Sequence, residues 1–200
     1  MNLLAHLHLS EGCHPDVLTA NVLADYLGRY DPVEKMPSPI ADRLMPGVRL
    51  HREIDSFTDQ HPVVAEARNL VSQDRRMLGG IIVDIAFDYY LSRHWKRFSE
   101  EDIDATISRG YATMAMVATT GLSRRTLSII SKMRAKNWLR AYGSLEGQAL
   151  TFQRVSRMSP AVANLVGAEE DIVRNDRDFD ACFLAFYPEL QSHVAEWLKE

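Results

Sequence analysis

The segment from Gly79 to Trp95 limits the fold of this 200-residue chain more than any other. Ile81, Ile82, Val83, Ile85, Ala86, Phe87, Tyr89, Tyr90 and Leu91 surround a helix with apolar surface on every side. Such a helix belongs in an interior, so the rest of the chain must supply surfaces that enclose it. Those surfaces also read as helices. Leu18, Val22 and Asp25 follow an i, i+4, i+7 stripe over residues 16–30, and Pro32, Pro37 and Pro39 break the chain after it. A helix is expected over 41–59, interrupted or started at Pro46-Gly47, and another begins at Pro62. The helix after Gly79-Gly80 is expected to reach Phe98. Ser99 with Asp102 reads as a capping box for the next one, and Gly121-Leu122-Ser123 opens a helix towards Tyr142. Pro160 starts a short helix, and residues 168–198 form a long one bent at Pro188. No β-branched runs joined by a hairpin dipeptide are present, and there is no repeat or linker. The expectation is an all-α fold, one helical domain over residues 1–200.

The composition suits a folded protein. An apolar fraction of 46% with 25% charged residues excludes wholesale disorder. Two cysteines, Cys13 and Cys182, exclude a disulfide framework or a cysteine-rich zinc site. No secretory leader pattern and no membrane-length apolar run are present, so a cytoplasmic chain with reduced thiols is expected, away from membranes. Met114, Met116 and Val117 are assigned to the core, and the oligomeric state stays open.

Acidic residues stand where apolar ones belong. Asp84 and Asp88 interrupt the apolar helix one turn apart, so their carboxylates share a face. Two buried like charges repel, and each loses hydration worth several kcal/mol. A bound cation relieves both effects; arginine partners or a solvent-exposed edge are the alternatives. His51, Asp55 and Asp59 repeat at four-residue spacing, with Thr58 beside them. Imidazole with carboxylate suits Mn, Fe or Zn better than calcium. Asp25 continues an apolar stripe and is expected to point inward, and His6 lies in the apolar run Leu3–Leu9. Each alone is more often a satisfied core residue or cap; it is four such residues in one small domain that point to a site. The phosphate loops, the nucleophile elbow and the His-Glu-x-x-His pair are absent.

The net charge of −4 hides an asymmetry. Between Asp104 and Glu146 there is no acidic residue, while Arg109, Arg124, Arg125, Lys132, Arg134, Lys136 and Arg140 give +7. The remaining 16 basic and 27 acidic residues carry −11. Either an anionic partner or acidic neighbours from elsewhere in the fold answer this stretch. Nucleic acid is not expected, because no recognition motif accompanies it.

Several motifs carry a family likeness. Met1-Asn2-Leu3-Leu4-Ala5-His6-Leu7-His8-Leu9, Ala20-Asn21-Val22-Leu23-Ala24-Asp25, and His51-Arg52-Glu53-Ile54-Asp55 with Thr58-Asp59 resemble the acyl carrier protein phosphodiesterases. So do Asp84-Ile85-Ala86-Phe87-Asp88 and Leu91-Ser92-Arg93-His94-Trp95, and more weakly the chain from Tyr142 to Phe186-Tyr187-Pro188. The resemblance implies a helical fold distantly similar to HD-domain metal phosphohydrolases. It implies Mn-dependent removal of 4′-phosphopantetheine from the serine of holo-acyl carrier protein, with Mg or Fe as other candidate metals. On that reading Asp25, His51, Asp84 and Asp88 hold metal, and Asp55 or Asp59 orients water or a ligand imidazole. His6 or His94 protonates the leaving serine oxygen, and Arg52 neutralises phosphate. Arg124 and Arg125 belong to a docking surface for the acidic carrier protein. An HD-type phosphohydrolase of small nucleotides and a non-enzymatic helical adaptor are the rival readings.

Overall fold

A computed structural model describes residues 1–119 and 121–199, and they form twelve α-helices with three short 3-10 turns and no strand. The helices are α1 (Leu3–Leu9), α2 (Pro15–Tyr30), α3 (Ser38–Gln60), α4 (Pro62–Asn69), α5 (Gly79–Arg93), α6 (Trp95–Phe98), α7 (Ile103–Ala118), α8 (Arg124–Ala135), α9 (Trp138–Ala141), α10 (Leu145–Ser156), α11 (Glu169–Arg174) and α12 (Asp176–Trp197). The all-α expectation holds among the described residues. They group into two compact units. One comprises Met1–Asn2, Asp55–Phe98 and the described chain from Ala141 onward; the other comprises Leu3–Ile54 and Ser99–Arg140. We call them the α5 unit and the α2 unit. The boundary falls inside α3, which runs unbroken from one to the other.

In the α5 unit, α5 packs against α4, α10 and α12. Most of its apolar circumference is buried as expected, with Ile82, Val83, Ala86, Phe87, Tyr90 and Leu91 fully enclosed, while Ile81 and Tyr89 are half-buried. Rings from α12 meet it: Phe87 lies 5.6 Å from both Phe183 and Phe186, and Phe183 stacks on Tyr187 at 5.0 Å. Burying each such ring stabilises the unit by roughly 1.5–3 kcal/mol. The expected continuous helices are shorter here. α5 ends at His94 before α6 resumes at Trp95, and the long C-terminal helix is divided at Asn175, whose side-chain amide donates to Leu70 O at 2.9 Å. Pro188 lies within α12 without ending it.

The α2 unit packs α2 against α1, α7 and α8. Its α1 is buried along its whole length, which a seven-residue apolar helix requires. Pro46 does not interrupt α3, contrary to expectation. It is exposed, as is Asp42 four residues earlier, so water can satisfy the carbonyl that proline leaves without a donor. Gly47 permits the close crossing of α3 over α2; a Cβ there would stand 2.3 Å from Val17 O. The helix after Ser123 stops at Ala135, because Asn137 takes a left-handed φ of 42°. Met114 and Val117 are core residues, whereas Met116 is exposed.

The start of α7 also departs from the capping box. Asp102 itself caps the helix, accepting from Asp104 N at 2.9 Å and Ala105 N at 3.2 Å, while Ser99 Oγ accepts from Glu101 N. Asp102→Ala is expected to lower unfolding free energy by about 1 kcal/mol. Urea denaturation checks this, and an unmoved midpoint would show that the cap contributes nothing.

Candidate functional site

Two buried histidines of the α2 unit stand face to face. His6 on α1 and His51 on α3 stack with ring centroids 4.1 Å apart and planes at 21°. One residue of α2, the fully buried Asn21, engages both. Its side-chain amide nitrogen donates to His6 O at 2.7 Å, which turns its Oδ1 towards His6 Nδ1 at 3.1 Å. Its backbone carbonyl lies 2.8 Å from His51 Nδ1. Both contacted oxygens only accept, so both Nδ1 atoms carry the proton and donate. In a neutral ring that leaves the lone pair on Nε2, the arrangement expected of metal-ligating histidines whose other nitrogen is tied down. Asp25, one turn beyond Asn21 on α2, places Oδ1 3.6 Å from His51 Nε2.

Asp55 follows His51 by one turn of α3. Candidate ligand atoms of His6 and His51 lie within 4.8 Å of each other. In the α5 unit Asp55 also shares a cation with α5. The α-amino group of Met1 lies 3.3 Å from Asp55 Oδ1 and 3.1 Å from Asp84 Oδ1. Burial acts to lower this ammonium's pKa, but the Asp84 and Asp55 carboxylates, with a smaller pull from Asp88, outweigh it and hold the pKa up at about 10. Burial pushes the Asp84 carboxyl above its ordinary range against the opposing pull of the ammonium. Asp88 is fully buried. The two carboxylates Asp55 and Asp84 are thus already arranged around one positive charge. Imidazole nitrogen and carboxylate oxygen together form a donor set that fits a divalent transition ion.

A family model for acyl carrier protein phosphodiesterase matches residues 1–190. The chain belongs to that family. Family members named acyl carrier protein phosphodiesterase include one from Pectobacterium atrosepticum, 31% identical over 95% of both chains. Another, from Photorhabdus laumondii subsp. laumondii, is 32% identical over 94% of this chain and 92% of its own. A third, from Yersinia enterocolitica, is 30% identical over 98% of both. No solved structure matches the chain. Among the described residues, no helix is long and apolar enough to cross a membrane.

Within this family member the expected site residues divide sharply. His6, His51 and Asp25 meet around Asn21, and Asp55 and Asp84 meet at the Met1 ammonium. Asp25 does not point inward as its stripe suggests; its side chain is 85% exposed and reaches His51 from the rim. Asp59 is exposed and bound to Arg68, so it is committed to an ion pair. His94 caps the far end of α5, ten residues and about 15 Å along the axis from Asp84. There it bonds Asp180 Oδ1 at 2.6 Å. Arg52 is exposed and its guanidinium donates to Glu34 at 2.8 Å. Arg124 and Arg125 are both exposed on α8, and Arg125 sits over the Tyr30 ring. Asn21 escaped the sequence reading as a functional residue. The available signal was its position as a lone amide among the apolar residues Leu18, Ala20, Val22, Leu23 and Ala24.

Proposed function

We propose that this chain hydrolyses the phosphodiester joining 4′-phosphopantetheine to the serine of holo-acyl carrier protein. Water adds to phosphorus, the bond from phosphorus to the serine oxygen breaks, and that oxygen takes up a proton. The products are apo-carrier protein and free 4′-phosphopantetheine. The observation that carries the reading is the pair of stacked imidazoles tied through Nδ1 to Asn21, on a chain matched by the family model from residue 1 to 190. The same match supports a carrier protein substrate over a small nucleotide, and an enzyme over an adaptor.

In this reading His51, with His6 stacked on it, holds a divalent ion, Mn first and Mg or Fe as substitutes. When bound, the ion supplies a Lewis acid for the phosphoryl oxygens. His6 therefore serves as a ligand in place of the proton-transfer role suggested by sequence. Asp25, exposed beside His51 Nε2, orients the attacking water. Asp84 joins Asp55 in balancing positive charge, and Asp88 backs it from one turn along α5. His94 and Asp59 are left out, each committed to another partner. The HD-like ancestry of the fold rests here on the helical His and Asp set alone.

The test is to incubate the protein with holo-carrier protein and Mn and follow the carrier by mass spectrometry. The carrier mass is expected to fall by the 4′-phosphopantetheine group. An unchanged mass under Mn, Mg and Fe overturns the reading.

A further inference from the structure

The acid-free interval is not uniformly exposed charge. Two of its seven cations are answered inside the α2 unit: Arg109 by Glu101 and Glu11, and Arg140 by Asp104 at 2.9 Å. Arg124, Arg125, Lys132, Arg134 and Lys136 are all exposed, and none of the five forms an ion pair among the described residues. They do not lie on one face. Arg125, Lys132 and Lys136 follow i, i+7, i+11 down one side of α8. Arg124 shares a different row with Ser131 and Ala135, again i, i+7, i+11, and Arg134 completes a row with Leu127 and Ile130.

Ser131 and Ala135 of the Arg124 row, with Leu127, Ile130 and Arg134, line a groove of about 530 Å³ between α7 and α8. Its floor is Ala115, Ala118, Leu127, Ile130 and Ala135, and Arg134 forms part of its wall. The small alanines leave the width. The floor is apolar and partly open, with Leu127 37% exposed. Arg134 on the wall and Arg124 on the adjoining row give the groove a positive edge.

We propose that this groove docks an acidic amphipathic helix of the protein substrate, a proposal that rests on the carrier protein reading above. An amphipathic helix lays an i, i+3, i+7 apolar stripe into a groove, and flanking carboxylates then face Arg124 and Arg134. Charge complementarity selects the acidic partner, since uncompensated arginines beside an apolar floor gain most from carboxylates held at its rim. The lining has no aromatic side chain on which a base could stack, so single-stranded nucleic acid fits it poorly. The row away from the groove, Arg125, Lys132 and Lys136, acts only through the long-range field that steers encounter.

The experiment measures binding separately from turnover, by fluorescence anisotropy of fluorescein-labelled holo-carrier protein without added metal. Arg124→Glu with Arg134→Glu is expected to weaken binding about tenfold or more, and Leu127→Asp similarly. Lys132→Glu with Lys136→Glu makes the same change in net charge and should weaken it less than about threefold, an effect that fades as salt rises. Equal losses from the two double variants would reduce the groove to net charge and overturn the proposal. So would unchanged binding by the first, no binding by the parent protein, or a preference for an oligonucleotide. Turnover of the same carrier by the parent protein decides the phosphodiesterase reading independently: cleavage with unaltered variant binding sinks the groove alone.

Discussion

Replacing His51 with alanine is expected to lower phosphodiesterase turnover by about a thousandfold and to remove stoichiometric metal. The estimate follows from what a Lewis acid contributes: several kcal/mol of charge stabilisation at the phosphoryl group, at about 1.4 kcal/mol for each tenfold in rate. His51 is central because it meets every other member of its unit's cluster. It stacks on His6, donates to Asn21, and faces Asp25 through Nε2. The side chain is buried, so its loss also costs stability. A thermal melt therefore accompanies the assay, and elemental analysis reads the metal directly. A folded His51→Ala protein that keeps its metal and its turnover would remove this histidine from the chemistry. As a comparison, Asp59→Ala should leave metal content unchanged, since that carboxylate is exposed and already bound to Arg68.

Asn21→Ala is expected to cost about 10- to 100-fold in metal affinity and activity, the usual effect of removing a group that orients metal ligands. The mechanism is specific to the side chain. The carbonyl that accepts from His51 survives the substitution, but the amide that fixes His6 does not. His6 would lose the acceptor that holds its proton on Nδ1, and its ring could then turn or change tautomer. His51 should keep its orientation. The variant should therefore bind Mn more weakly rather than fail to bind it, and higher Mn should recover part of the lost rate. Loss of activity that no Mn concentration recovers, in a protein with an unchanged melting temperature, would assign Asn21 a role other than positioning. Unchanged Mn affinity would show that the contact is only structural.

Much of this centre was legible in the sequence because helical periodicity reports angle. The apolar residues of 79–95 called for burial, and Asp88 is buried among them. The four-residue spacing of His51 and Asp55 placed them on one face of a helix whatever surrounded it. The acid-free interval likewise set a basic surface somewhere on the molecule.

Periodicity is silent on depth and on partners. Asp25 lies on the same stripe as Leu18 and Val22, yet α2 is buried only along part of that stripe, and the carboxylate ends up exposed at the rim. Asp59 and His94 share residue types with the centre, but neighbours from α4 and α12 claim them. Arg124 and Arg125 are adjacent in sequence and so diverge by about 100° around α8, which puts only the first in the row whose later members, Ser131 and Ala135, line the groove. Asn21 joins the two histidines through contacts 15 and 30 residues away, to His6 and His51. The sequence by itself determined the helices, their apolar faces and the surplus of charge, since these depend on local spacing. Only the tertiary structure decided which polar groups meet, because a hydrogen bond requires two distant helices to arrive at one distance and one angle.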